Sequence, residues 1–230
     1  MVSEHPHAGS GGDRPSILVV CAHPDDECIG AGGTVAKHAH LGFPVHVLCL
    51  TGNPERHREL SASCKTLGVS TLRAIERGDH DIDWSLRAVV VEAILDVRPA
   101  VVITHTPDDY NRAHEMCHRV VVEAVEWASH VTQFPNAHRT RQVLTMEINT
   151  LHPHPNILVD VSSSYDVAIS ALSEHKSQLR KSDRFYERFY DARTRLRGVQ
   201  AGCERAEAFG IVLPTHAGPF YTINSVDTLL

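Results

Sequence analysis

No apolar run in this 230-residue sequence approaches the roughly 20 residues that a bilayer-spanning helix requires. Membrane association through a helix is therefore not expected. The first fifteen residues, MVSEHPHAGSGGDRP, have neither a basic n-region nor an apolar h-region. They read as a disordered tail over 1–15, not as a secretory leader. The six cysteines form no C-x-x-C pair, and several fall inside apolar segments. That speaks against a disulfide framework and a thiolate zinc site. It implies buried free thiols in a reducing compartment, the cytoplasm. There is no basic excess: 22 Lys and Arg stand against 28 Asp and Glu, for a net charge of -6. Nucleic acid, which calls for a basic surface, is not the expected partner. A full G-x-G-x-x-G or G-x-x-x-x-G-K-[ST] is missing. GAGG at 30–33 is better explained by close packing of a helix on a sheet. H-E-x-x-H is missing too, since the nearest stretch reads HEMCH. No repeat, low-complexity tract or linker interrupts the chain, and 16–230 is expected to be a single domain.

What is present is an alternation of strand and helix. SILVVC (16–21), PVHVLCLT (44–51), STLRAIE (70–76) and AVVIT (100–104) are short, apolar and rich in β-branched residues. Between them lie helical stretches from Glu27 to Leu41, from Pro54 to Leu67 and from Trp84 to Val97, with another from Arg112 to Ala128. Pro54 falls near a first turn and Gly68 just beyond a last one. Such alternation predicts an α/β, Rossmann-like fold, a mainly parallel sheet with helices on both faces. QVLTMEINT and NILVDV read as later strands, and Tyr165 to Arg197 as one long polar helical region. Lys176 to Arg197 holds eight basic residues against three acidic ones, a solvated face with mixed ion pairs.

Chemistry concentrates at the carboxyl ends of two strands, where open α/β sheets bind ligands. CAHPDDECIG follows the first strand directly. A helix N-terminus eases the clustering of acids, and one acid can serve as N-cap. Capping does not account for a histidine and two further carboxylates. A zinc or similar divalent ion does, with His23 and Asp26 as ligands. The fourth strand runs into HTPDDYNRAH, and its His114 can complete a His-Asp-His set. His114 and His118 can alternatively chelate from one helix, although His118 reads better as a packing residue. His105 reads as a structural or supporting group, and Glu27 as a first-turn carboxylate or a hydrogen-bond partner to its neighbours. Three protein ligands leave a position open for water, whose pKa such an ion lowers to about 7. Asp25 is then free for proton transfer. The pattern predicts metal-assisted hydrolysis of an amide or ester.

These same residues carry a resemblance. AHPDDE after a first strand, with a following GG pair, resembles the signature of the LmbE-like or PIG-L zinc-dependent N-deacetylases. HTPDDYNRAH is similar to that family's second motif, LCLTGNPERHREL to its second strand and following helix, and HKSQ and AEAF to two late segments. The resemblance implies a Rossmann-like fold and removal of acetyl groups from N-acetylglucosamine-type amino sugars or glycosides. It implies one zinc per chain on His23, Asp26 and His114, with Asp25 as general base. Members often form homo-oligomers. Asn111 stands where the family usually has an oxyanion-stabilising histidine, and Ala113 where it usually has an aspartate; Asp108 and Asp109 are near enough to compensate. Arg58 is expected to bind a substrate hydroxyl or anionic aglycone, or else to pair with Glu55 or Glu59; Asp109 is a further substrate-binding candidate. His152 and His154 lie in a polar loop near the mouth. Two other readings compete: a catalytically weak, metal-containing sugar-binding module, and a nucleotide-binding domain, for which the phosphate loop is missing.

Overall fold

The structure is a computed structural model and is described for residues 14–181 and 183–212. All of the expected tail except Arg14 and Pro15 lies outside the described residues. Strands β1 (Ile17–Cys21), β2 (Val45–Cys49), β3 (Thr71–Ala74), β4 (Val101–His105) and β5 (Gln142–Met146) pair in parallel. Helices α1 (Asp26–His40), α2 (Pro54–Leu67), α3 (Arg87–Val97) and α4 (Arg112–Ala128) connect or follow the first four strands. β6 (Ile157–Asp160) and β7 (Ala206–Ile211) complete a seven-stranded sheet of order β3-β2-β1-β4-β5-β7-β6, with β7 antiparallel to both neighbours. The fold is α/β and Rossmann-like, as the alternation predicts.

Two cores lie on opposite faces of this sheet. Ile17, Val19 and Cys21 of β1 meet α1, α2 and two later helices, whereas Leu18 and Val20 meet α3 and α4. Burial on both faces explains why the strands read as continuous apolar runs instead of alternating ones. The region from Tyr165 to Arg197 departs from expectation. It is three helices, α5 (Tyr165–Leu172), α6 (Lys176–Lys181) and α7 (Phe185–Ala201). Asp183 and Arg184 adopt positive φ, 48° and 54°, which no helix continues through. The expected helix from Trp84 likewise begins as a 3₁₀ turn over Trp84–Leu86.

Helix α1 is also broken. Ala31 has φ -146° and ψ 16°, which leaves backbone N–H groups downstream without helical partners. The Glu207 carboxylate of β7 accepts from Gly33 N–H and Thr34 N–H, both at 2.8 Å, and from Tyr190 O–H at 2.7 Å. A Cβ on Gly30 would lie 2.4 Å from Met146 Sδ, and one on Gly33 2.7 Å from Val161 Cβ. Gly30 therefore lets α1 approach β5, Gly33 lets it approach Val161 just after β6, and a Cβ on Gly32 would lie 3.3 Å from Ala168 Cβ of α5.

Candidate metal centre

His23 follows β1, Asp26 opens α1 and His114 lies in the first turn of α4, so two strand ends deliver all three. All are buried, and one donor atom from each lies within 4.8 Å of the others. His23 Nδ1 is 3.1 Å from His114 Nε2, and the Asp26 oxygens lie 3.5 Å from each of these nitrogens. The far side of each ring fixes its tautomer. His114 Nδ1 faces Asp109 Oδ2 at 3.0 Å, and His23 Nε2 faces the Asp79 carbonyl at 3.0 Å. Carboxylate and carbonyl oxygens only accept, so those nitrogens carry the protons. His23 Nδ1 and His114 Nε2 then present lone pairs to one point, beside an ionised carboxylate. Two ring nitrogens 3.1 Å apart repel unless a proton or a metal cation sits between them. The donor set thus fits a divalent ion such as zinc. The same demand for positive charge shows in the titration. Burial opposes ionising His23, yet the hydrogen bond and charge of Asp26 raise it to about 9. Burial likewise opposes charge on Asp26, but His114 and the hydrogen bond of His23 hold it well below the usual carboxylate range.

Asp25 borders the same cavity of about 190 Å³, together with Arg56, Asn111 and Tyr186. Burial, then repulsion from Asp26, pushes its carboxyl up to about 7, against the pull of Arg56. A bound cation would draw it down again. Asn111 caps α4, its Oδ1 accepting from Ala113 N–H at 2.9 Å. The cap commits the amide oxygen and leaves the NH₂ as the other functional end. Asp109 is buried and engaged with His114, with Asn111 N–H at 2.9 Å and with the Asn149 amide at 3.1 Å. It supports the His114 ring from behind. Burial resists its ionisation, but His114 and Asn111 bring it to about 2.

The structure brings Arg56, not Arg58, to the cavity. Arg58 is exposed on α2. Arg56 Nη2 donates to the Pro24 carbonyl at 2.5 Å and lies 3.4 Å from Asp25 Oδ2, while Nη1 reaches Asp79 at 3.1 Å. The signal for this was in the helix pattern. Arg56 shares the spacing of the buried positions Leu60, Ser63, Cys64 and Leu67, and residues two apart cannot share a helix face. Tyr186 and Asn149 also border the site without any local signal. His105 stacks on His114 at 4.1 Å and accepts from Ala22 N–H at 2.9 Å; burial and the neighbouring His114 depress it to about 4, a neutral supporting ring. His118 bonds to the His105 carbonyl and His152 to that of Thr145, and neither borders the cavity. A second possible ligand group among the described residues is Glu27, Cys28 and His175. Its donors already satisfy one another: Glu27 meets His175 at 2.9 Å and Ser63 at 2.6 Å.

A doubly wound sheet with a His-Asp-His cluster at its carboxyl edge defines a metal-binding α/β protein. Comparison with known proteins narrows this. Residues 18–125 match the PIG-L family, described as GlcNAc-PI de-N-acetylase. A probable N-acetyl-alpha-D-glucosaminyl L-malate deacetylase 2 of Bacillus cereus is 28% identical over 70% of this chain and 83% of its own length. The diacetylchitobiose deacetylase of Thermococcus kodakarensis is 27% identical over 72% and 71%. The crystal structure of a conserved protein from Thermus thermophilus superposes with a TM-score of 0.80 at 27% identity, covering 90% of this chain and 98% of that one. Over residues 18–125 the chain is similar to the LmbE-like, PIG-L deacetylases. No described helix is long and apolar enough to cross a membrane.

Proposed function

We propose that this protein is a zinc-dependent hydrolase that removes the acetyl group from an N-acetylglucosamine-type amino sugar or glycoside. The observation that carries the reading is the convergence of two imidazole rings and the Asp26 carboxylate beside a buried Asp25 whose side chain makes no capping bond. The named relatives are a probable deacetylase of N-acetyl-glucosaminyl malate and a diacetylchitobiose deacetylase, and both named substrates carry an acetylated glucosamine unit.

His23, Asp26 and His114 would hold one ion per chain. Such an ion, when bound, supplies Lewis acidity to water and to the acyl carbonyl. Asp25 takes the proton of the attacking water and returns it to the amine nitrogen as the C–N bond breaks, giving acetate and a free amine. Arg56 holds the Asp25 carboxylate toward the cavity. The Asn111 NH₂ donates to the developing oxyanion, in place of a histidine. It cannot carry a full positive charge, so its share of that stabilisation is smaller. Asp109 fixes the His114 tautomer instead of touching substrate. We further assign residues 16–230 to one domain, acting in the cytoplasm as a homo-oligomer on a small-molecule substrate. Five buried free cysteines support the reducing compartment.

Metal analysis and acetate release from a panel of N-acetylated glucosaminides, with zinc present and chelated, test the reading. About one zinc per chain and chelator-sensitive acetate release are expected. Asp25→Asn should keep the metal and lose turnover by about 10²–10⁴-fold. Binding of an acetylated sugar without acetate release would instead favour the sugar-binding module.

A further inference from the structure

Four N-caps in the described chain are Asp or Asn, and three use their side chains as caps. Asn53, Asp83 and Asn111 each accept a backbone N–H of the helix they open. Asp25 does not; its side chain makes no capping bond. Its backbone takes φ 113° and ψ -26°, a conformation that costs a non-glycine residue about 1–3 kcal/mol. In that conformation the Asp25 carbonyl accepts from Cys28 and Ile29 N–H, at 3.1 and 3.0 Å, while the carboxylate borders the cavity. Something must hold the strained residue there.

Glu27 is fully buried, and its Oε2 accepts the Asp25 N–H at 2.9 Å. Its Oε1 accepts from Ser63 O–H at 2.6 Å and from His175 Nε2 at 2.9 Å. His175, at the start of α6, is fully buried, and its Nδ1 has no partner among the described residues. The hydrogen bonding of its ring is therefore directed to Glu27 alone among the described residues. We propose that Glu27 and His175 form a positioning dyad: Glu27 holds the Asp25 backbone in its strained conformation, and His175, with Ser63, fixes the Glu27 carboxylate. The inference rests on the reading of Asp25 as general base. It gives the HKSQ stretch a task at a centre whose ligands all lie in the first half of the chain.

The Asp25→Asn result is scored first. If that variant stays active, the base assignment fails, and this is seen before any dyad variant is made. With the base established, Glu27→Ala should lower kcat by about 10²-fold, the cost of a small misplacement, at unchanged KM and zinc content. Glu27→Gln keeps an acceptor for Asp25 N–H and a donor toward neutral His175, so it should restore kcat to within about fivefold of the parent. Crystal structures supply a readout apart from turnover: φ of Asp25 should become negative in Glu27→Ala and stay positive in Glu27→Gln. If Glu27→Ala does not fold, His175→Gln and His175→Leu replace it. Gln retains a donor to Glu27 and Leu does not, so only Leu should lose kcat and relax Asp25. Equal activity in either pair overturns the proposal. So does an unchanged Asp25 φ in Glu27→Ala or His175→Leu, or a loss of zinc as the main effect.

Discussion

The two halves of the sheet do different work. The parallel half, β1 to β4 with α1 to α4, contributes every donor of the His-Asp-His cluster, and Asp25 and Arg56 as well. The later part, from β5 to β7, contributes none of these. It contributes Glu207 under the break in α1, His175 against Glu27, Asn149 against Asp109, and Arg193. Arg193 donates to the Ile29 and Glu147 carbonyls, and Arg197 donates to the Glu147 carboxylate. One half carries the chemistry, and the other holds it still. The lesson is that a short catalytic motif can depend on buried ionic contacts made more than a hundred residues away.

Four substitutions test that division. The largest effect belongs to the parallel half: His114→Ala should lose tight zinc binding and lower turnover on the order of 10³-fold or more, with the fold kept. Metal content and circular dichroism on one preparation separate the two outcomes. Next comes the later part. Glu147→Leu leaves Arg193 and Arg197 buried without their carboxylate, which should cost about 3–5 kcal/mol of stability. Urea unfolding reads this, and the zinc content of the folded fraction should not change. A large loss of zinc affinity there would dissolve the distinction. Smaller again is Asp109→Asn, which weakens the orientation of His114; zinc affinity should fall about 10–100-fold by competition with a chelator. The smallest is Arg58→Ala. This side chain is exposed and away from the cavity, so stability should stay within about 0.5 kcal/mol and KM should not move. An increase in KM would restore Arg58 to the substrate.

The same two parts differ in how far they can be read from sequence. β1, β2 and β4 are buried on both faces, so they stand out as apolar runs, and Asn53, Pro54 and Gly68 punctuate α2 at both ends. The metal cluster is legible because charged residues at a buried strand end have no cheaper explanation. The later part is opaque for physical reasons. The break after α6 falls on Asp183 and Arg184, two polar residues with positive φ, not on glycine or proline. β7 reads AEAFGI and carries a buried glutamate that accepts the N–H groups at the internal break of α1. Glu27 looks like an ordinary first-turn acid until His175 is found beside it, 148 positions along the chain. Pairings of that separation leave no local trace.

The place of β7 in the sheet has a consequence for how the protein is made. It lies between β5 and β6, yet it follows both in the chain. Until residues 206–211 leave the ribosome, β5 and β6 have no common neighbour, and the broken turn of α1 has no carboxylate beneath it. The five parallel strands can assemble during synthesis, since early segments generally fold first. The helix that carries Asp26 already packs on β1, α2 and α5 by then, and only its broken turn waits for β7. A nascent chain stalled before β7 would therefore pack α1 on the parallel strands with the Gly33 and Thr34 N–H groups still without their acceptor.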